Sequence, residues 1–394
     1  MDRLNILMGI DMYLPSVDGV VNCMHHYIKC LNEEHNAAAM APSAGKKYVD
    51  RQSYRIYRCK GVRVPFYGGH YGFPSGDRGF LRELEKTKWD IIHVHSPMGM
   101  CKFAAKYAKK HNIPVVATFH TNFRPIVKKI VGFKRLTEAV LKGMGKRLDK
   151  MDDVFVCSPG VAEQARSFGY TGHITYLPFG TNLPRPGNLT EMRDRVNHKY
   201  GFAANELVFI FVGRVVKLKR IDFILESLKL LKSKGVSFKF FVVGTGMDEK
   251  TTKRKANKLG LESDVIFTGF VEDFDDFKAL YARADLLLFP SLYDNFGLVK
   301  VEAAAHNTPG VYIKGSNAAY CVEHGVNGFL SENDAESFAA AIGDAVSDRG
   351  KLLQAGKNAS ETLYITWADA SAELAGRYAE IIAAKKAADT ASEK

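Results

Sequence analysis

Short runs of continuous apolar residues alternate along this chain with longer stretches whose apolar positions recur every three or four residues. The first kind reads as a strand buried on both faces, the second as an amphipathic helix. In the first half the runs fall at 4–8, 91–94, 115–118 and 154–157, with weaker ones near Ala38 and Ile56. In the second half they fall at 207–212, 238–243, 265–268, 286–289 and near Val311. Such alternation predicts parallel βαβ units. Between the two sets lies PFGTNLPRPGN (178–188), whose prolines and glycines predict a linker. The expected fold class is therefore α/β. Two doubly wound, Rossmann-like parallel-sheet domains, 1–181 and 189–366, would present their strand ends to a common cleft, and a helical pattern at about 367–390 closes the chain.

One stretch concentrates the chemistry. In ADLLLFPSLYDNFGLVKVEAAAHNTP (284–309), a buried strand stops at Pro290, a polar and aromatic loop follows, and Gly297 opens an Ala-rich helix. A parallel sheet offers its carboxyl edge to ligands in this way, and a helix tip carries unpaired N–H groups and a positive dipole end suited to an anion. Asp294 stands just before the helix and Glu302 within it, with seven residues between them. Two carboxylates around a bound anion are tolerable when each accepts hydrogen bonds, and sugar hydroxyls are the obvious donors. The pattern points to a nucleotide sugar; incidental acids on a strand and helix are the plainer alternative.

Composition limits the remaining classes. The 394 residues suffice for two cores, and 46% apolar with 25% charged residues is ordinary for a globular protein. No run approaches the roughly 18 apolar residues of a membrane span. The opening MDRLNILMGIDMYLP lacks the apolar core and cleavage site of a signal peptide. The six cysteines, 23, 30, 59, 101, 157 and 321, form no C-x-x-C pair, so they are expected as reduced core residues of a cytoplasmic protein. The formal net charge of +12 calls for a polyanionic partner. No nucleic-acid-binding motif is present, which leaves an anionic membrane face.

Several further motifs sit at predicted strand ends. The loop from Asp11 to Gly19 lacks G-x-G-x-x-G, which disfavours a dehydrogenase; the Gly19 N–H could approach a phosphate or simply start a helix at about 20–31. DIIHVHSP places His93 and His95 at a strand end, but no acidic or cysteine partner stands nearby in sequence, so a structural or cleft-lining role outweighs a metal site. ATFHTNF sets His120 just past a strand, where a near-neutral pKa would suit proton traffic. The segment 124–150, bounded by Arg124 and Lys150, carries nine Lys/Arg against two acids. Its apolar residues Ile126, Ile130, Phe133, Leu136, Val140, Met144 and Leu148 recur at helical spacing. One long basic amphipathic helix on an anionic bilayer competes here with a helix packed on its own domain. In FVGRVVKLKRID, Arg214 and Lys219 could neutralise a departing nucleoside diphosphate, and Lys217 and Arg220 add positive charge. Asp273-Phe-Asp275 lies where acids cap a helix, so a metal site is not expected there.

Taken in order, these motifs resemble the retaining glycosyltransferases of family four (glycosyl transferases group 1), which have the two-domain GT-B fold. The likeness spans nearly the whole chain and rests on Gly19, the T-x-H-T segment at His120, R-x4-K at Arg214 and Lys219, G-x-G at Gly244, and the acid pair Asp294 and Glu302. This chain has Asp294 where the first Glu is usual, Arg220 where a glycine follows the lysine, and a single glycine at position 19. The resemblance implies a metal-independent hexosyltransferase that needs no cofactor beyond its nucleotide-sugar donor, UDP-glucose being expected. It implies that Gly19, Arg214, Lys219 and Gly244 hold the diphosphate, that Phe270 and Val271 lie against the base, and that Glu302 holds the ribose. Asp294 with the amides of Phe296, Gly297 and Leu298 would meet the sugar, as would His120. Family members that act on membrane lipids have comparably basic helices, so a diacylglycerol-type or glycosyl-diacylglycerol acceptor and a peripheral position on the inner face of the cell membrane are expected. In GT-B proteins the last helix crosses back to the first domain. Rival readings are a transferase for a soluble or polysaccharide acceptor, a same-fold nucleotide-sugar epimerase, and an inactive, basic membrane-binding protein.

Overall fold

The computed structural model of the protein describes residues 2–392 apart from 17, 46 and 64–69. It divides into two compact units, Met1–Phe179 with Trp367–Lys394, and Gly180–Thr366.

In the first unit the chain runs β1 (Asn5–Gly9), α1 (Gly19–Leu31), β2 (Asn36–Pro42), β3 (Ile56–Cys59), β4 (Gly61–Arg63), β5 (His70–Gly72) and α2 (Arg78–Leu84). It continues through β6 (Ile91–Val94), α3 (Gly99–His111), β7 (Val115–Thr118), α4 (Phe123–Val131), α5 (Lys134–Leu148), β8 (Asp153–Val156), α6 (Pro159–Ser167) and β9 (Ile174–Tyr176). The seven-stranded sheet has the order β3-β2-β1-β6-β7-β8-β9, and every pairing in it is parallel. Its central strands are fully buried, as continuous apolar runs require.

The second unit contains α7 (Leu189–Tyr200), β10 (Val208–Val212), α8 (Ile221–Ser233), β11 (Lys239–Val243), α9 (Glu249–Lys258), β12 (Val265–Gly269) and α10 (Phe274–Arg283). After these come β13 (Leu286–Phe289), α11 (Leu298–Ala305), β14 (Gly310–Ile313), β15 (Phe329–Ser331), α12 (Ala335–Ser347) and α13 (Arg349–Thr362). Its sheet, β12-β11-β10-β13-β14-β15, is also wholly parallel. Both sheets are doubly wound. The strand order reverses between β1 and β6 in the first and between β10 and β13 in the second, and ligands bind beyond the carboxyl ends of strands at such reversals.

Helix α14 (Trp367–Ser392) belongs to the first unit, where Tyr378 is buried and Arg377 donates to the buried Asp153 carboxylate at 2.8 and 3.0 Å. The boundary between the two units falls inside the Pro- and Gly-rich stretch expected as a linker, and most of that stretch is fastened to the second unit. The Thr181 N–H donates to Ile365 O at 3.0 Å, Leu183 is buried, and the Arg185 guanidinium lies 4.7 Å over the Tyr364 ring.

Segment 124–150 departs from the single helix its periodicity predicts. It breaks at Gly132, which takes φ +78° to cap α4, and α5 starts two residues later. The Arg124–Glu138 ion pair ties the two helices together. Leu141, Met144 and Leu148 of α5 are core residues, whereas Ile130, Phe133 and Leu136 at the elbow are more than half exposed. Packing on its own domain, one of the two sequence readings, is thus met by the second half of the segment. One cysteine also departs from expectation: Cys321 is exposed, while 23, 59, 101 and 157 are buried.

Candidate functional site

At the reversal point of the second sheet two of the sequence-selected residues of that unit meet. Arg214 and Lys219 lie in the loop after β10, and Asp294 lies in the loop after β13. Lys219 Nζ meets Asp294 Oδ1 at 2.5 Å, with both side chains largely buried. Asp294 Oδ2 is buried and has no hydrogen-bond partner among the described residues. Arg214, by contrast, is exposed and makes no ion pair among them. The loop carrying Asp294 is shaped by Ser291, whose hydroxyl accepts from the N–H groups of Tyr293 and Asp294 at 3.3 Å.

Gly297 then starts α11 with φ +74°, and an added Cβ would come within 3.2 Å of the Phe289 ring, so only glycine fits comfortably. No side chain caps this helix, which leaves the N–H groups of its first turn, from Leu298 onward, free of a side-chain acceptor. Phe296 is buried beside it, and the Lys300 ammonium lies over the Phe296 ring at 5.1 Å while donating to Tyr320 O.

Glu302 sits farther along α11, where Tyr281 of α10 donates to its Oε2 at 2.6 Å. Burial raises the Glu302 pKa above the usual carboxylate range, and the Tyr281 bond opposes that rise. Neither Glu302 nor Arg214 bonds directly to the Lys219–Asp294 pair.

The neighbouring turns explain two motif residues by packing. Gly244 (φ +123°) runs so close to the β10 loop that a Cβ would fall 2.2 Å from Gly213 O, and a Cβ on Gly246 would fall 2.2 Å from Val215 O. The G-x-G glycines thus let two loops pass each other and set the path of Arg214. Arg220 adopts φ +59°, the left-handed conformation in which a glycine is at home. Its guanidinium donates to Pro290 O at 3.0 Å and covers the Phe223 ring at 4.2 Å. Arg220 therefore fastens the β10 loop to the end of β13 through a neutral carbonyl, so its positive charge stays at that loop. Phe270 is exposed and Val271 half-buried just beyond β12. Asp273 is the N-cap of α10, accepting from the Asp276 N–H at 2.6 Å, and Asp275 pairs with Lys278 at 2.7 Å.

In the first unit, Asp18 rather than Gly19 governs the tip of α1. Its carboxylate accepts from the N–H groups of Val20 and Val21 at 2.9 Å, so those amides already face a negative charge, and open space surrounds the Gly19 Cα. His93, His95 and His120 form a buried column. Tyr378 and Thr118 hydroxyls hold the two nitrogens of His93 at 2.6 and 2.7 Å. The His93 and His95 rings stack at 4.3 Å, and His95 Nδ1 meets His120 Nε2 at 2.9 Å. Burial drives His93 and His95 well below their usual pKa and His120 to about 3. His120 is thus a neutral imidazole with a fixed neighbour, and the near-neutral titration expected of it is overturned by desolvation.

The fold also supplies what the sequence lacked near His95. Cys23 of α1 brings its Sγ within 4.8 Å of ligand atoms of His95 and His120, a set that could hold a soft metal ion. Asp11 was not singled out for chemistry either. It accepts from the Ser96 hydroxyl and from the Met100 N–H at 2.8 Å, capping α3, which has no side-chain cap of its own. Burial raises its pKa to about 6.

Two family models match. Residues 17–185 match Glycosyltransferase Family 4, and residues 192–362 match Glycosyl transferases group 1, the one over most of the first unit and the other over most of the second. The chain belongs to the GT-B glycosyltransferases. This glycosyltransferase is 25% identical over 346 residues to the alpha-monoglucosyldiacylglycerol synthase of Acholeplasma laidlawii, covering 82% of this chain and 84% of the relative. It is 24% identical over 348 residues to the GDP-mannose-dependent alpha-(1-6)-phosphatidylinositol dimannoside mannosyltransferase of Mycobacterium tuberculosis, covering 86% and 88%. Among solved structures, Anabaena HepE in complex with UDP matches with a TM-score of 0.75 at 19% identity, covering 96% of this chain and all of that one. Sucrose-phosphate synthase from Thermosynechococcus elongatus matches with a TM-score of 0.71 at 20% identity, with the same coverage.

Tyr281, Asp11 and Cys23 joined the picture only through the structure. Tyr281 is 21 residues from Glu302 and on another helix, and no spacing rule links the two.

Proposed function

We propose that this glycosyltransferase moves a hexose, glucose from UDP-glucose, onto a membrane lipid of the diacylglycerol or glycosyl-diacylglycerol class, with retention of configuration and without a metal ion. The observation that carries the donor half is the Lys219–Asp294 contact at the reversal point of the second sheet, beside the uncapped tip of α11. Arg214 and Lys219 take the diphosphate, and the α11 tip faces the same negative charge. Glu302 accepts from the ribose, Asp294 and the amides after it accept and donate to the sugar, and Phe270 and Val271 lie against the base. In the first unit, His120 is the residue we assign to the sugar, as a neutral hydrogen-bonding edge, and Gly19 the one we assign to the diphosphate, through its backbone N–H. As the glycosidic bond breaks, charge builds on the diphosphate, where the two cations stabilise it. The acceptor hydroxyl enters on the face the diphosphate leaves, and the leaving phosphate takes its proton. No protein nucleophile is required by that route.

The lipid half draws support from the names of the relatives and from the α4–α5 elbow. There Ile130, Phe133 and Leu136 are exposed among Lys128, Lys129, Lys134 and Arg135, a combination suited to an anionic membrane surface. A peripheral position on the inner face of the cell membrane follows from this reading. Among the described residues no helix is long and apolar enough to cross a membrane.

The test is a panel of UDP- and GDP-sugars incubated with diacylglycerol, glycosyl-diacylglycerol and soluble sugars, read by mass spectrometry. Hexosyl lipid from UDP-glucose is the expected product. Transfer to soluble sugars alone would overturn the acceptor assignment, and release of a free epimer without acceptor would overturn transfer itself.

A further inference from the structure

We propose that Asp294 is an exchange partner for Lys219, one that makes the site prefer a sugar-bearing nucleotide over the bare nucleoside diphosphate. The inference rests on the donor reading above and adds to it a role for the ion pair. Of the two cations assigned to the diphosphate, Arg214 is exposed and unpaired among the described residues, whereas Lys219 is already neutralised at 2.5 Å by Asp294. Both partners are mostly shielded from water, with side-chain exposures of 16% and 21%, so this is not a loosely screened surface pair. Asp294 is also half-satisfied: Oδ1 holds the ammonium while Oδ2 is buried with no partner among the described residues. An unpaired buried carboxylate oxygen is costly, and a donor hydroxyl brought to it removes that cost.

These features make two ligand fragments unequal. A bare diphosphate draws Lys219 away from Asp294 and leaves that largely shielded carboxylate without its ammonium, its buried Oδ2 still unpartnered among the described residues. A diphosphate carrying a sugar draws Lys219 away equally, yet its hydroxyls replace the ammonium at Asp294. Lysine suits such an exchange, being a compact charge on a flexible four-carbon stem that can swing between acceptors, whereas a forked guanidinium would be held. Once the sugar has been transferred, Asp294 has lost its hydroxyl partners and recaptures Lys219, which loosens the departing nucleoside diphosphate. The aspartate fits this duty, because Lys219 Nζ lies 2.5 Å from its Oδ1.

Isothermal titration with UDP, UDP-glucose and, in parallel, GDP is the test, using the full chain and its Asp294→Asn and Asp294→Ala variants. Neither variant can neutralise Lys219. Both are expected to bind UDP about fivefold or more tightly than the wild type, and the preference for UDP-glucose over UDP is expected to shrink by at least that factor. A merely structural role for Asp294 would weaken UDP binding instead. Thermal unfolding of each variant establishes that it is folded. UDP affinity that is unchanged or weaker in both folded variants would overturn the exchange while leaving the donor reading intact. A wild-type chain that binds neither UDP nor GDP at millimolar concentration would overturn the donor reading and the exchange together.

Discussion

At the scale of single residues, environment rather than type decides what each candidate can do. His120 and His95 are ordinary histidines in sequence, yet burial holds His120 near pKa 3, so it stays neutral from about pH 5 upward. The pH profile of kcat/KM between 5 and 8 is therefore expected to carry no limb that disappears in His120→Asn, although that variant should lose activity. A lost limb would mean that His120 titrates. Glu302 shows the opposite sign: desolvation raises its pKa, so its proton is lost later than from a free glutamate. Its value as a hydrogen-bond acceptor for ribose is present above that raised pKa and fades as pH falls through it. Replacing Glu302 by Ala is expected to weaken UDP binding roughly tenfold, about 1.4 kcal/mol, in keeping with the loss of a charged hydrogen bond. Unchanged affinity by titration calorimetry would remove the ribose assignment. Arg220 and Gly244 make a related point. Their motif positions are legible in sequence, but only the dihedral angles and the 2.2 Å approach to Gly213 O show that the constraint is on the backbone.

At the scale of elements, the strands were legible and the helix break was not. The runs at 91–94, 115–118 and 286–289 coincide with β6, β7 and β13, because residues buried on both faces of a parallel sheet leave an uninterrupted apolar signature. The short β9 and β15, at the sheet edges, give no such signal over three residues each. The segment 124–150 keeps its helical period across Gly132, since an apolar repeat does not record the single positive φ that separates α4 from α5. What results is a pointed elbow with Phe133 75% exposed, in place of a long helix face. Neutralising Lys128, Lys129, Lys134 and Arg135 together is expected to cut co-sedimentation with anionic vesicles by tenfold or more, at about 1 kcal/mol for each basic residue near the surface. Phe133→Ser should weaken binding even to weakly charged vesicles. Undiminished binding in both would count against the elbow as the membrane contact.

At the scale of the whole molecule, the closing helix stabilises the first unit. Asp153 is almost fully buried at the start of β8, where Arg377 of α14 supplies two of its hydrogen bonds and Thr175 a third at 2.7 Å. Arg377→Ala would leave that charge undercompensated and is expected to cost about 3 kcal/mol. In denaturant, the unfolding of the first unit should shift while that of Gly180–Thr366 does not; a single, equally shifted transition would contradict this. The sequence by itself determined the α/β class, the division into two sheets, and the ordered acids, cations and glycines at strand ends. Apolar period and turn residues are local quantities, so a linear reading recovers them. It could not determine which of those groups touch. The Lys219–Asp294 pair closes over 75 residues, Tyr281 reaches Glu302 from another helix, and Cys23 reaches the histidine column from α1. Tertiary structure alone decided these contacts, and with them which charges are free, which are neutralised and which histidines stay uncharged, because burial and proximity depend on how distant segments pack.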